Sequence, residues 1–97
     1  MKVKVLKFSA SWCGPCKVMA PIFEKISKMD EFKDIEFLSY DIEDDDDSIE
    51  LVNNFNIKNV PTFVIVDGNN NPKKKIIGAV QENELVNIIK DTIKYES

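Results

Sequence analysis

Apolar residues from Val3 to Ala10 recur at strand-like spacing, and Cys13-Gly14-Pro15-Cys16 follows almost at once. The pattern predicts a first, central strand that feeds a helix. Val18, Met19, Ile22, Phe23, Ile26 and Met29 recur at helical intervals and predict an amphipathic helix over 14–29 with these six as its buried stripe. Pro21, which lacks an N–H, predicts a kink in its middle. Residues 35–42 read as a second strand. Asp47, with Glu50 three residues on, reads as a capping-box start for a short helix through Phe55, and Asn56 as its left-handed end. Residues 62–66 and 73–77 read as strands flanking the turn-rich Asp67-Gly68-Asn69-Asn70-Asn71-Pro72. Over 82–95, Leu85, Ile88, Ile89 and Ile93 share one helical face. The order β-α-β-α-β-β-α is that of an α/β fold: a four-stranded mixed sheet with helices on both faces.

At 97 residues the chain reads as one domain, 1–97, large enough for a core without staples or metals. The net charge is −4 and no basic cluster accompanies an aromatic surface motif, which argues against nucleic acid as a partner. Charges interrupt Met1-Lys2-Val3-Lys4-Val5 too often for a signal-peptide core, and no apolar run approaches the roughly 20 residues of a membrane span. These features predict a cytoplasmic protein with no membrane partner, and a monomer. In that reducing compartment a structural disulfide would be opened, so a cysteine pair is more often catalytic or metal-binding. The chain contains no histidine, which excludes Cys-His nucleophilic catalysis and every His-ligated metal site.

Cys13 and Cys16 are the only cysteines of the chain and stand where strand gives way to helix. Two residues of spacing can close a small disulfide ring, and a thiol at a helix N-terminus loses its proton more easily beside the positive end of the dipole. Cys13 is therefore expected to be the attacking thiolate and the more exposed of the pair. Cys16, a turn further in, would attack the resulting mixed disulfide and release the reduced substrate. The alternative is half of an all-cysteine zinc centre, in which a second chain supplies the other two thiolates. Gly14-Pro15 favours the redox reading, because the proline sets φ where a helix begins. No metal site is expected. Six of the seven residues from Asp41 to Asp47 are acidic, yet a calcium loop would need glycine at Asp46 and glutamate at Val52; the run reads as a solvated acidic turn.

Trp12-Cys13-Gly14-Pro15-Cys16 resembles the active site of thioredoxins. Val60-Pro61-Thr62-Phe63, Asp67-Gly68 and Gly78-Ala79 also fall where that family has its later strand, its hairpin turn and the approach to its last helix. The resemblance runs from about residue 3 to 95 and implies a minimal thioredoxin fold, without the extra first strand and helix typical of the family. It implies a protein-disulfide reductase whose redox-active disulfide is Cys13–Cys16, with no dissociable cofactor. Its partners would be disulfide-containing protein substrates and a flavin- or ferredoxin-linked thioredoxin reductase, and its roles electron transport and cell redox homeostasis. Relatives that oxidise or isomerise disulfides usually carry a histidine between the cysteines, so its absence points to reduction.

The resemblance also implies a cis bond before Pro61, with Val60 offering its backbone to an extended substrate segment. Trp12, Gly14, Pro15, Val60, Pro61, Gly78 and Ala79 would line the substrate groove. Asn56 and Asn59 stand where the family commonly has glycine. One departure bears on chemistry: thioredoxins usually bury an aspartate six residues before the first cysteine, where it takes part in proton transfer, and this chain has Lys7. Ser39 stands where the family often has that aspartate's lysine partner. Lys7 is thus a candidate modulator of proton transfer, as a cation favouring thiolates or as a neutral amine. Two other readings remain open: a glutaredoxin-like, glutathione-dependent enzyme, and a redox-inactive binding module of the same fold.

Overall fold

The computed structural model describes residues 2–44 and 46–96. β1 (Lys4–Ser9) leads into α1 (Gly14–Ser27), and a short 3₁₀ turn (Asp30–Phe32) leads to β2 (Glu36–Asp41). α2 (Asp46–Asn54), β3 (Thr62–Val66), β4 (Pro72–Ile77) and α3 (Glu82–Glu96) complete the predicted order. The sheet runs β2-β1-β3-β4, with β1 parallel to β2 and antiparallel to β3, and β3 antiparallel to β4. No helix of the described residues is long and apolar enough to cross a membrane.

Alternation along β1 divides the core between the two faces of the sheet. Val3 and Val5 join Met19, Phe23 and Ile26 of α1 and Leu85, Val86 and Ile89 of α3 on one face. Leu6 and Phe8 join Val64, Val66 and the α2 residues Leu51 and Val52 on the other. β3 is buried along its whole length, which explains why Thr62-Phe63-Val64-Ile65-Val66 reads as a run rather than an alternation. α1 continues through Pro21 without a break.

Several boundaries and one packing assignment differ from the sequence reading. Val18 is 61% exposed, because the buried stripe of α1 runs through Cys16, Met19, Phe23 and Ile26 and leaves Val18 on the outer face. The helix ends at Ser27 instead of Met29, and the 3₁₀ turn that follows buries Phe32, an isolated aromatic with no periodic neighbours to announce it. α2 starts at Asp46, so Asp47 lies within its first turn and is not the cap; Asp45, also part of the acidic run, lies outside the described residues. Asn56 has φ 55°, as expected, and the carbonyls of Phe55 and Asn56 accept hydrogen bonds from Lys75 Nζ at 3.1 and 2.9 Å. Asn59 is not among the described residues with positive φ.

The β3–β4 connection owes its shape to Asp67 more than to Gly68. The left-handed residue is Asn70, at φ 66°. Asp67 is buried, and its Oδ1 accepts the backbone N–H groups of Asn69 (2.8 Å) and Asn71 (2.9 Å), while Oδ2 accepts the Asn71 amide (3.2 Å). The Asn71 backbone bond does most to hold this carboxyl below its ordinary value. Burial opposes it, and Asn69, the Asn71 side chain and Lys73 add to it.

Two stability measurements test this packing. Phe63→Ala should cost about 3–5 kcal/mol in chemical denaturation, whereas Val18→Ser should stay within about 0.5 kcal/mol of wild type. A depressed folded-state carboxyl stabilises above its unfolded value and loses that contribution as pH falls through the lower folded value. The stability gap between wild type and Asp67→Asn should therefore be full above the ordinary aspartate value of about 3.9 and close below it. A gap that does not change with pH would contradict the hydrogen-bonded carboxylate.

Candidate active site

β1 ends beside the sheet midline, and the next turn carries the cysteines. The Cys13 N–H donates to the Ala10 carbonyl (3.1 Å), which closes the turn and leaves Cys13 as the N-cap of α1 with extended backbone angles. Gly14 and Pro15 form the first helical residues, where the missing N–H of proline has no intrahelical partner to lose. The Cys16 N–H donates to Cys13 Sγ at 3.2 Å, so a sulfur fills the place that serine or aspartate takes in most caps. Cys13 and Cys16 form a disulfide, with their Cα atoms 5.3 Å apart.

The two cysteines do not differ in exposure as the sequence reading expects. Each is 4% exposed, because Ala10, Ile42 and Val60 pack around the pair. What distinguishes them is position: Cys13 caps the helix, and its Sγ lies 3.6 Å from the Val60 carbonyl oxygen.

The Val60–Pro61 bond is cis. The Gly78 N–H donates to the Pro61 carbonyl at 2.8 Å, and the φ of 94° at Gly78 is one that side chains rarely tolerate. That bond ties the end of β4 to the edge of the disulfide. Trp12, 65% exposed, stands over a cavity of about 270 Å³ with Ile42, Ile57, Lys58, Asn59 and Val60. Gly14 and Pro15 are exposed at the helix tip, and no atom lies within 4 Å of where a Gly14 Cβ would sit. Ala79 is exposed, but neither it nor Gly78 lines the cavity. Ile42, Ile57, Lys58 and Asn59 were not anticipated; Ile42, the one apolar residue within the acidic run, carried the only local signal.

A second, smaller cavity of about 180 Å³ opens on the opposite side of the pair, with Lys7, Ser9, Cys16 and Asp41 among its walls. Lys7 is 7% exposed, and its Nζ lies 5.2 Å from the centroid of the Phe23 ring. Burial lowers its pKa from the ordinary lysine value, with Glu24 opposing the shift. Asp41 Oδ1 accepts the N–H groups of Glu43 (2.8 Å) and Asp44 (3.2 Å), so the acidic run folds back on itself as a turn. Among the described residues no group of three or more Cys, Asp or Glu is placed to hold a metal ion.

The thioredoxin family model matches residues 1–91. The chain belongs to the thioredoxin family. It is a thiol-disulfide oxidoreductase, of the protein-disulfide reductase type that the family's cysteine pair supports. It is 37% identical over 87 residues to thioredoxin of Borreliella burgdorferi, covering 90% of this chain and 70% of that protein. Thioredoxin of Mycoplasmoides gallisepticum is 34% identical over 89 residues, covering 92% of the chain and 83% of the relative. Shorter matches, of 62 and 67 residues, span 55% of Ictalurus punctatus thioredoxin and 45% of rice thioredoxin H2-1. The solved thioredoxin of Malassezia sympodialis superposes with a TM-score of 0.80 at 31% identity, over 93% of this chain and 74% of that one.

Because Trp12 is 65% exposed and stands outside the core clusters, Trp12→Ala should leave stability within about 0.5 kcal/mol of wild type. A substantially larger loss in denaturant would mean that the indole belongs to the core.

Proposed function

We propose that the chain reduces the disulfides of protein substrates through alternating attack by Cys13 and Cys16. The carrying observation is the cap itself: the Cys16 N–H and the N-terminal end of α1 converge on Cys13 Sγ and favour its thiolate in the reduced protein. Cys13 attacks a substrate sulfur, the substrate disulfide breaks, and one substrate thiolate leaves. Cys16 then attacks Cys13 Sγ, releases the second substrate thiol and regenerates the disulfide. Two electrons have passed from the cysteine pair to the substrate.

The groove suits an extended segment. Val60 lies next to Cys13, and its backbone can pair with a substrate strand while Trp12, Gly14, Pro15, Pro61, Gly78 and Ala79 contact the flanking residues. The cavity under Trp12 supplies an apolar seat for a neighbouring side chain. In this reading the oxidised pair is reduced again by thioredoxin reductase, no dissociable cofactor takes part, and the protein works as a monomer in the cytoplasm as part of cellular redox homeostasis.

Insulin-disulfide reduction tests the cycle directly. Wild type coupled to a thioredoxin reductase should turn over, and Cys13→Ser should not. Cys16→Ser should accumulate a mixed disulfide on Cys13 that mass spectrometry can identify. Alkylation of the reduced protein should reach Cys13 before Cys16, through its thiolate rather than through any greater exposure. Turnover supported by glutathione and not by the reductase would point instead to a glutaredoxin-like enzyme. Absence of turnover with either reductant would point to a binding module.

A further inference from the structure

The cavity beneath Trp12, about 270 Å³, has two kinds of wall. Trp12, Ile42, Ile57 and Val60 are apolar, and Lys58 and Asn59 form its polar side. Both polar residues are exposed and stand on the segment between α2 and β3, where Lys58 is the single charge from Asn53 to Pro61. That segment is fastened along its length. The Ile57 N–H donates to the Val52 carbonyl (2.9 Å), Lys75 Nζ to the carbonyls of Phe55 and Asn56, and Thr62 Oγ1 to the Asn59 carbonyl (2.6 Å). The backbone that carries Lys58 is therefore set before any substrate arrives, two residues from the Val60 carbonyl that faces Cys13 Sγ. Among the described residues no carboxylate lies within ion-pair distance of Lys58, and the Asn59 side chain makes no hydrogen bond. The acidic run does not supply a partner. Ile42 reaches the cavity, but Asp41 Oδ1 accepts the N–H groups of Glu43 and Asp44, and Asp46 and Asp47 border a separate cavity with Ser39 and Tyr40.

We propose that Lys58 makes the protein selective for substrates that carry a carboxylate side chain beside the disulfide to be reduced. The inference deepens the dithiol cycle proposed above and rests on it. A glutamate has the two parts that the cavity matches. Its methylene stem packs against Trp12, Ile42 and Val60, and its carboxylate meets the Lys58 ammonium and the Asn59 amide at the mouth. A glutamine fills the same apolar part without the ion pair, and a lysine brings like charge to Lys58. Because Lys58 is exposed, water and salt screen the pair. It acts by choosing among substrates and by speeding encounter rather than by tight binding. The sulfur steps are unchanged, and the acidic residue takes no part in them.

Single-turnover reduction of fluorescence-quenched peptide disulfides by the reduced protein tests this selectivity. Each peptide carries one disulfide-bonded cysteine, with Glu, Gln or Lys at one of the two nearest positions on either side of it. Dividing each rate constant by that of the same peptide with dithiothreitol removes the effect of the charge on the disulfide itself. At low ionic strength wild type should reduce the Glu peptide about fivefold faster than the Gln peptide at one of these positions, with the Lys peptide slowest. The preference should fade in about 1 M salt, where electrostatic reach falls to about 3 Å. Lys58→Met should bring the Glu-to-Gln ratio to unity, and Lys58→Glu should place the Lys peptide first. Lys17→Met, which removes an exposed lysine outside this cavity, should keep the wild-type ratio. A ratio of unity at every position in wild type would overturn the proposal, and so would a wild-type ratio retained by Lys58→Met or lost in Lys17→Met. A preference for the Lys peptide would overturn it as well and assign selection to the acidic run. Each ratio is taken within one protein, so a less stable variant still reports, and the salt dependence of wild type needs no variant. The two readings fail differently: wild type that reduces none of the peptides defeats the dithiol cycle and the selectivity with it, whereas reduction without preference defeats only the role of Lys58.

Discussion

The hydrogen bond from the Cys16 N–H to Cys13 Sγ is the interaction on which the rest of the site depends. The first turn of a helix has N–H groups with no intrahelical acceptor, and in α1 one of them is given to the sulfur of the redox pair. The cap therefore fixes where the helix begins, holds the two cysteines at bonding distance, and places Cys13 at the positive end of the dipole. It works only because β1 delivers the chain to that point and the Ala10 carbonyl closes the preceding turn. β3 enters the sheet beside β1 with Val60 and Pro61 at its start, so the substrate-facing backbone is set by the same strand pairing.

Different side chains of β1 face the two sides of the sheet, and the division follows from the period of the strand. Leu6 and Phe8 face α2 and build the apolar layer that ends at Val60 and the cavity under Trp12. Val5 and Lys7 face α1, and the cavity that Lys7 shares with Cys16 lies on that side. A one-residue shift of β1 would exchange the two sets and remove the lysine from the cysteine altogether.

The elements were readable where local chemistry decides and misread where packing does. The strand runs, the helical stripe of α3 and the left-handed Asn56 needed only period and backbone preference. Val18 fits the helical period as well as Met19 does, but only the placement of α1 over the sheet decides which of two adjacent apolar residues is covered. Phe32 lies among acidic and basic neighbours and becomes buried because the chain must return under the sheet to start β2. Gly68 is the conventional turn residue of its loop, yet the Asp67 carboxylate organises that loop and moves the left-handed residue to Asn70.

Trp12-Cys13-Gly14-Pro15-Cys16, the order of elements and the absence of histidine determined the redox chemistry and the fold class, because both follow from residue type and spacing along the chain. Tertiary structure alone decided that Cys13 and Cys16 are equally covered, that Ile42, Ile57, Lys58 and Asn59 complete the groove, and that Lys7 shares a cavity with Cys16. The physical reason is distance in sequence. A cap or a turn is made by neighbours and leaves its mark locally. Burial, and the company a buried amine keeps, depend on strands and helices tens of residues apart, and no local pattern records which of them will meet.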